Sequence, residues 1–376
     1  MLGNIDSLRN NKAISLVLSN TKINTMSQTF MLYGANGFLG EVISRLAVKS
    51  GLQPILAGRD EVKLKKLATD LDLEYRIFNL DDPQTIDQAL KNVTVILHCA
   101  GPYIFTYRPI VEACLRTGTH YLDLTGEIPV YEALAALDSK AKSCGIMLLP
   151  GVGFDVVPTD CLAKHLKQRL PSASRLTLAF QSVGPAGLPP GTQRTMIDLI
   201  PYGDRVRRNG ALEVPGRAQI TRLIDFDNGL VKATRFTWGD VFTAFFSTNI
   251  PNIEDYVVLS EDMRRQMTMI SYLRPLFKTT MIRNIMKRGV KPGPSEIERS
   301  QTFTHVWGEV EDDNKQKAIS RLHGPEAGVI WTSRSALAAV QKVFTGKAPL
   351  GFQTPALAFG ADFVMECEGV TREDLT

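Results

Sequence analysis

Gly34-Ala35-Asn36-Gly37-Phe38-Leu39-Gly40 is the stretch whose reading decides the fold. A short apolar run, Thr29-Phe30-Met31-Leu32-Tyr33, leads into it. Phe38 to Lys49 follows, with Leu39, Val42, Ile43, Leu46 and Ala47 on one helical stripe, and Gly51 stands where a C-cap is expected. A GxxGxxG between a strand and a helix has a physical logic. Gly34 permits the tight turn, Gly37 lets the backbone approach a pyrophosphate, and Gly40 lets the helix press against the sheet. The helix N-terminus then offers free N–H groups to the anion. The glycines alone are a weak signal. The flanking strand and helix, and the units that follow, give them weight.

Working outward, the alternation continues. Strands are expected at Pro54–Ala57, Tyr75–Phe78, Thr94–His98, Tyr121–Leu124 and Ile146–Leu149. Between them lie helices: one capped by Asp60, one from Thr85 to Leu90, one from Pro109 to Arg116 and one from Val130 to Ser143. Near-continuous apolar strands separated by single helices indicate a parallel sheet covered on both faces. Residues 29–150 therefore read as a Rossmann domain, an α/β doubly wound parallel sheet. After Pro150 the pattern changes. Leu176–Gln181, Thr302–Glu311 and Lys317–Leu322 read as longer strands, with a hairpin turn at Asp312-Asp313-Asn314-Lys315 and one long helix over Ala327–Phe344. Residues 151–345 thus read as a second, α+β substrate domain with a largely antiparallel sheet.

Composition excludes several classes. The chain has 376 residues, 44% hydrophobic and 22% charged, which suits two soluble domains with a sizeable core. A net charge of +4 is too small for a nucleic-acid partner's footprint. Five cysteines without a CxxC disfavour a disulfide framework and a zinc site, and no HxxxH or HExxH pair suggests a metal. A reducing, cytoplasmic setting is the default reading. No apolar run reaches the ~18 residues of a membrane span. Residues 1–28 read as a polar N-terminal tail, and Met26 offers an alternative start to Met1.

The strand ends supply the candidate binding residues. Gly34, Asn36, Gly37, Phe38, Leu39 and Gly40 would cradle a dinucleotide. Gly58 and Arg59 end the second strand, where an acidic residue marks NAD; Arg59 favours the 2′-phosphate of NADP(H). Asp81 would either accept a hydrogen bond from adenine or cap the next helix. Cys99, Ala100, Gly101 and Pro102 end the fourth strand and would let the nicotinamide half pass close to the backbone; Cys99 itself reads as a small packed hydrophobe. For an acid–base group, Tyr103, Asp123, Glu127 and Asp155 are the candidates, each carboxylate with a capping or structural role as its alternative.

The motifs GANGFLG, AGRD, CAGPY, VEACLRTGTHYLDLTGE and PGVGFDVVPTD, with GFQTPALAFGADFV near the end, resemble the saccharopine dehydrogenase-like oxidoreductases. The resemblance implies NADP(H) use, a second domain framing the substrate, and a C-terminal segment, residues 346–376, that returns to the first domain. It also implies mixed chemistry. The family includes amino-acid enzymes working at C=N and trans-acting enoyl reductases working at C=C. No tyrosine has a lysine four residues later, which argues against short-chain dehydrogenase chemistry.

The substrate side gives conflicting hints. Arg194, Arg205, Arg207 and Arg208 could grip a carboxylate or phosphate, or form a solvated face. Phe242, Phe245 and Phe246 suggest an apolar pocket. Residues 261–288 form a basic, methionine-rich amphipathic pattern broken by Pro275. That pattern suits a lid over an apolar substrate, peripheral contact with a membrane, or a core-packing helix with a charged outside. The reading from sequence is an oxidoreductase moving a hydride to a C=C or C=O bond of a small-molecule or lipid-type substrate. Amino-acid C=N chemistry and an NADP(H)-binding sensor or scaffold without turnover are the alternatives, and a homodimer is left open.

Overall fold

The computed structural model describes residues 28–216, 220–227 and 229–375. The expected polar tail up to Ser27 and the choice between Met1 and Met26 lie outside the described residues.

The first sheet begins with β1 (Phe30–Tyr33), β2 (Ile55–Gly58), β3 (Tyr75–Ile77), β4 (Val95–His98), β5 (His120–Asp123) and β6 (Met147–Leu149). Their connections are α1 (Phe38–Lys49), α2 (Glu61–Leu71), α3 (Pro83–Ala89), α4 (Tyr103–Thr117), and the pair α5 (Ile128–Ala135) and α6 (Asp138–Ser143). β1, β2, β4 and β5 are buried throughout except for His120 at the head of β5, as strands covered on both faces must be. Asp60 caps α2 through the Lys63 amide at 3.1 Å, as its position suggested.

Two helices flanking the first sheet differ from the sequence reading. The expected Val130–Ser143 helix is split, because Asp138 starts a fresh turn whose carboxylate accepts the distant Phe352 amide at 2.9 Å. α4 starts six residues before Pro109, leaving that proline inside the helix.

The second sheet contains β7 (Arg175–Val183), β8 (Val206–Arg208), β9 (Ala211–Glu213), β10 (Thr221–Asp225), β11 (Leu230–Arg235), β12 (Asn252–Val258), β13 (Phe303–Glu311) and β14 (Lys317–Pro325). Its helices are α7 (Val157–Arg169), α8 (Pro190–Leu199), α9 (Asp240–Thr248), α10 (Glu261–Leu273), α11 (Thr280–Lys287) and α12 (Glu296–Ser300). α13 (Thr332–Phe344), β15 (Gly351–Phe352), α14 (Pro355–Phe359) and β16 (Thr371–Asp374) complete the chain. The first sheet runs β15-β6-β5-β4-β1-β2-β3, all parallel, and its order reverses between β1 and β4. The second runs β10-β11-β12-β7-β13-β14-β16; it is antiparallel except where β12 pairs with β7. α7 packs on β13 and β14, and Gly308 lets it approach, since a Cβ there would stand 2.6 Å from Leu166. Asp160 ties three segments together. It accepts from Ser247 Oγ at 2.6 Å and from the Ala356 amide at 2.8 Å.

The expected single helix over Ala327–Phe344 is a π-turn, Ala327–Trp331, followed by α13. Glu326 causes this. Its carboxylate accepts the Gly328, Val329 and Ile330 amides at 2.7, 2.9 and 2.9 Å and holds the first turn open. α13 lies on α1 and β4, so the chain rejoins the first sheet's layers at Thr332 rather than at residue 346. Of the final segment, β15 pairs with β6 in the first sheet, whereas β16 pairs with β14 in the second.

Candidate functional site

The glycine loop sits at the switch point between β1 and β4, where an open parallel sheet binds its ligand. Gly34 has φ +87°, and a Cβ on it would lie 3.0 Å from the Ala100 amide nitrogen and the Cys99 carbonyl carbon. Gly40 is tighter still. Its Cβ would lie 2.2 Å from the Gly34 carbonyl oxygen and 2.9 Å from Ala35 Cα. Helix and loop therefore meet backbone to backbone. Gly37 is exposed and starts α1 without any side-chain cap, so the first helical amides face outward unpaired by side chains. This cradle of bare backbone and helix N-terminus fits a pyrophosphate.

Around the loop, Asn36 lies over Gly58; a Cβ on that glycine would stand 2.7 Å from the amide oxygen. Leu39 packs partly against the core. The Phe38 ring faces the other side of the cleft, against Gly293, whose Cβ would stand 2.3 Å from the ring. The end of β3 and exposed Arg59 frame a cleft of about 340 Å³ lined by Arg59, Ile77, Phe78, Asn79, Asp82 and Thr85. Asp82, not Asp81, caps α3, accepting the Gln84 amide at 3.0 Å. Asp81 is left exposed at the same end, where it and Arg59 act on Tyr33 in opposite senses. Burial pushes the Tyr33 phenol up to about 12, Arg59 opposes that rise and Asp81 adds to it.

The end of β4 is packed closely. His98 is buried, 3.1 Å from the Tyr121 hydroxyl, and burial drives its imidazole down to about 3, so it stays neutral. Burial pushes the Cys99 thiol well above its ordinary range, so Cys99 is no nucleophile. Ala100 lies against Gly34, and Gly101-Pro102 lead into α4. The Tyr103 ring stands edge-on to His98 at 5.1 Å and beside Gly101. Burial raises its phenol, which stays protonated.

The three candidate carboxylates have different employment. Asp123 is fully buried and accepts from Tyr121 Oη at 2.7 Å and from the Thr125 and Gly151 amides at 2.9 Å. Burial lifts it to about 6, and the bonds from Thr125, Tyr121 and Gly151 oppose that rise. Glu127 is also fully buried. Its two oxygens accept the Tyr103 and Ile104 amides at 2.7 Å each, capping α4 from outside. Burial raises it to about 7. Both therefore take the structural role that their position in sequence also allowed.

Asp155 differs. It is half-buried, and among the described residues it has no hydrogen-bond or ion-pair partner. Its Oδ2 stands 2.9 Å from where a Gly126 Cβ would be. Burial, and then the charge of Glu127, raise its carboxyl to about 7. An accessible carboxyl half-protonated near neutral pH is what a proton donor requires.

Several residues of the cleft carry no signal in the sequence. Thr195 and Asp198 come from α8, which crosses over the β4 loop; Thr195 Oγ1 lies 3.6 Å from a Cβ placed on Gly101. Asp198 is buried, pairs with Arg283 at 3.3 Å and Lys287 at 2.6 Å, and its charge reaches Glu127. From Phe154, the residue before Asp155, an aromatic row runs to Phe180 at 5.5 Å, then Trp238 at 5.0 Å and Phe236 at 5.6 Å. Its outer members, Phe180, Trp238 and Phe236, are half-buried.

Two substrate-side expectations are corrected. Arg207 is buried, donating to the Val241 and Gly210 carbonyls with its guanidinium 4.2 Å from the Phe245 ring. Arg208 pairs with Glu254, and Arg205 donates to the Tyr202 and Asp204 carbonyls. No carboxylate grip assembles; Arg194 alone of the four is left exposed on α8. Phe242, Phe245 and Phe246 pack on one another, on Phe352 and on Arg207, so much of their apolar surface is used within the fold.

Residues 30–149 match the family model described as the saccharopine dehydrogenase NADP binding domain. A saccharopine dehydrogenase-like oxidoreductase of Homo sapiens is 26% identical over 181 residues, 42% of this chain and 42% of that protein. A trans-acting enoyl reductase of Mycobacterium leprae (strain TN) is 34% identical over 148 residues, 37% of this chain and 35% of that protein. The matched stretch is less than half the length of each curated relative. Apo saccharopine dehydrogenase (L-Glu forming) from Saccharomyces cerevisiae superposes with a TM-score of 0.63, covering 93% of this chain and 100% of that one. At 13% identity that likeness is one of fold.

Proposed function

We propose that this chain, whose residues 30–149 match the saccharopine dehydrogenase NADP binding domain, is an NADP(H)-dependent oxidoreductase acting on a C=C or C=O bond of an apolar substrate. One observation carries the reading. Of the three candidate carboxyls, Asp155 alone has no partner among the described residues; it holds its proton near neutral pH and follows Phe154, which ends a row of aromatic rings.

Gly34, Gly37 and the first turn of α1 would bind the pyrophosphate. Arg59 would hold the 2′-phosphate, and Phe78 and Asn79 would border the adenine. The Cys99–Pro102 backbone and Tyr103 would fix the nicotinamide half against β4. When bound, the nicotinamide supplies a hydride. Asp155 holds the proton that the adjacent atom needs and releases it from its carboxyl oxygen. Glu127 keeps α4, and with it Tyr103, in place. Phe180, Trp238 and Phe236, tilted against one another, would exclude water and offer an apolar wall.

Amino-acid C=N chemistry fits less well. An amino-acid carboxylate would meet Asp155, while Arg205, Arg207 and Arg208 are engaged elsewhere. The test is NADPH oxidation with a panel of α,β-unsaturated acyl, ketone and imine substrates. Turnover of an acyl or ketone substrate is expected, with Asp155→Asn lowering kcat by about 10²–10⁴ and leaving NADPH affinity unchanged. Turnover of imines alone, or full activity in Asp155→Asn, would overturn the reading.

A further inference from the structure

The segment 261–291 carries eight basic and two acidic residues, a net of +6 in a chain whose total is +4. It folds as α10 and α11 joined by a 3₁₀ turn, Arg274–Lys278, with Pro275 at the break. An amphipathic helix ordinarily turns its apolar stripe to the core. This segment does not. No side chain of α10 or α11 is buried, and Phe277 in the turn is its buried anchor. Met269 is 57% exposed, Tyr272 62%, Leu276 53%, Met281 67% and Ile285 54%. Arg265, Met269, Tyr272 and Leu276 fall at three- and four-residue steps, as do Met281, Ile285 and Arg288. The outward stripe is therefore apolar with cations at its margins.

The inner side is the polar one. Arg283 and Lys287 turn inward to Asp198, and Arg274 pairs with Asp204. A lid over an apolar substrate would have the opposite polarity. The cations left facing outward, Lys278, Arg288 and Lys291, are exposed and have no ion-pair partner among the described residues. Exposed methionine, leucine, isoleucine and tyrosine, flanked on a pair of short helices by cations without an ion-pair partner among the described residues, match the interfacial zone of an anionic bilayer. No helix among the described residues is long and apolar enough to cross a membrane, so the contact is one of lying on the surface.

We propose that α10, the turn and α11 dock the protein on an anionic lipid surface. This deepens the apolar-substrate reading and rests on it. α11 touches α8, which crosses the β4 loop, so docking sets the mouth of the cleft at the bilayer, where a lipid-type substrate would enter.

The test is flotation of the full chain with phosphatidylcholine vesicles containing about a third phosphatidylglycerol, against phosphatidylcholine alone. Retention on the anionic vesicles at low salt is expected, falling at about 0.5 M NaCl. Leu276→Glu with Met281→Glu, and separately Lys278→Glu with Arg288→Glu, should each weaken retention by at least about tenfold. All four side chains are exposed, so NADPH binding by both variants should match the parent and reports that they are folded. No retention of the parent, or equal retention of parent and variants, would overturn the docking. So would a dimer that Leu276→Glu with Met281→Glu splits without any vesicle binding, because a second copy would then be the occupant. NADPH binding without vesicle binding would leave the oxidoreductase reading standing, which keeps the two failures distinct.

Discussion

Replacing Asp155 by asparagine removes a charge the fold disfavours. The carboxyl is raised from an ordinary 3.8 to about 7, chiefly by burial. A raised acid is a liability that grows with pH: below the unfolded value both states are protonated and nothing is lost. Between the two values the unfolded chain ionises while the native carboxyl keeps its proton, so native stability falls as pH rises and levels off above the folded value. The full gap is worth about 4 kcal/mol, and partial solvent access reduces the expected figure to about 2–4 kcal/mol at pH 8. At pH 5 only about 1–1.5 kcal/mol of it has developed. Asparagine has nearly the same shape, and Asp155 has no hydrogen-bond or ion-pair partner among the described residues to lose. Asp155→Asn should therefore be more stable than the parent, by a margin about 1–3 kcal/mol larger at pH 8 than at pH 5. Urea unfolding of both proteins at the two pH values measures this. Asp123 and Glu127 titrate in the same range but are present in both proteins, so most of their effect cancels in the difference. A margin independent of pH would mean that Asp155 ionises as an ordinary surface carboxyl, and its assignment as proton donor would be wrong.

Other residues give sharper structural tests. Gly40→Ala gains about 1 kcal/mol of helix propensity, yet its Cβ would meet backbone atoms at 2.2 and 2.9 Å. Neither atom can move alone, so a net loss of about 1–3 kcal/mol in urea unfolding is expected, together with loss of NADPH binding. Glu127→Ala strips the acceptors from two α4 amides and should cost about 2–4 kcal/mol, with faster amide exchange at Tyr103 and Ile104. If α4 exchanges unchanged, its cap lies elsewhere.

Local sequence carried much of this account. The glycine loop, the Asp60 cap and the Pro275 break each depend on residues within a few positions, where spacing and propensity act directly. The parallel sheet followed from its apolar strands. What sequence could not carry were pairings across long separations. Asp123 meets Gly151, Glu127 meets the start of α4, Asp138 meets Phe352, and Asp160 meets Ser247 and Ala356. Each is an acidic residue whose role depends on which backbone amide the fold brings to it. That is why Asp123, Glu127 and Asp155 looked alike in sequence and differ in structure. The aromatic row at Phe236 and Trp238 was missed for the same reason, since its members come from β7, the end of β11 and the Phe154 loop. The outward polarity of α10 and α11 was open because periodicity shows that a stripe exists and not which way it faces.

The most direct test of the central claim is a paired titration of the purified protein with NADPH and NADH, repeated with Arg59→Ala. NADPH should bind tighter than NADH, and Arg59→Ala should weaken NADPH by about 10–100-fold while leaving NADH unchanged. Failure of the parent to bind either nucleotide would contradict the cofactor cradle, and with it the proposed oxidoreductase.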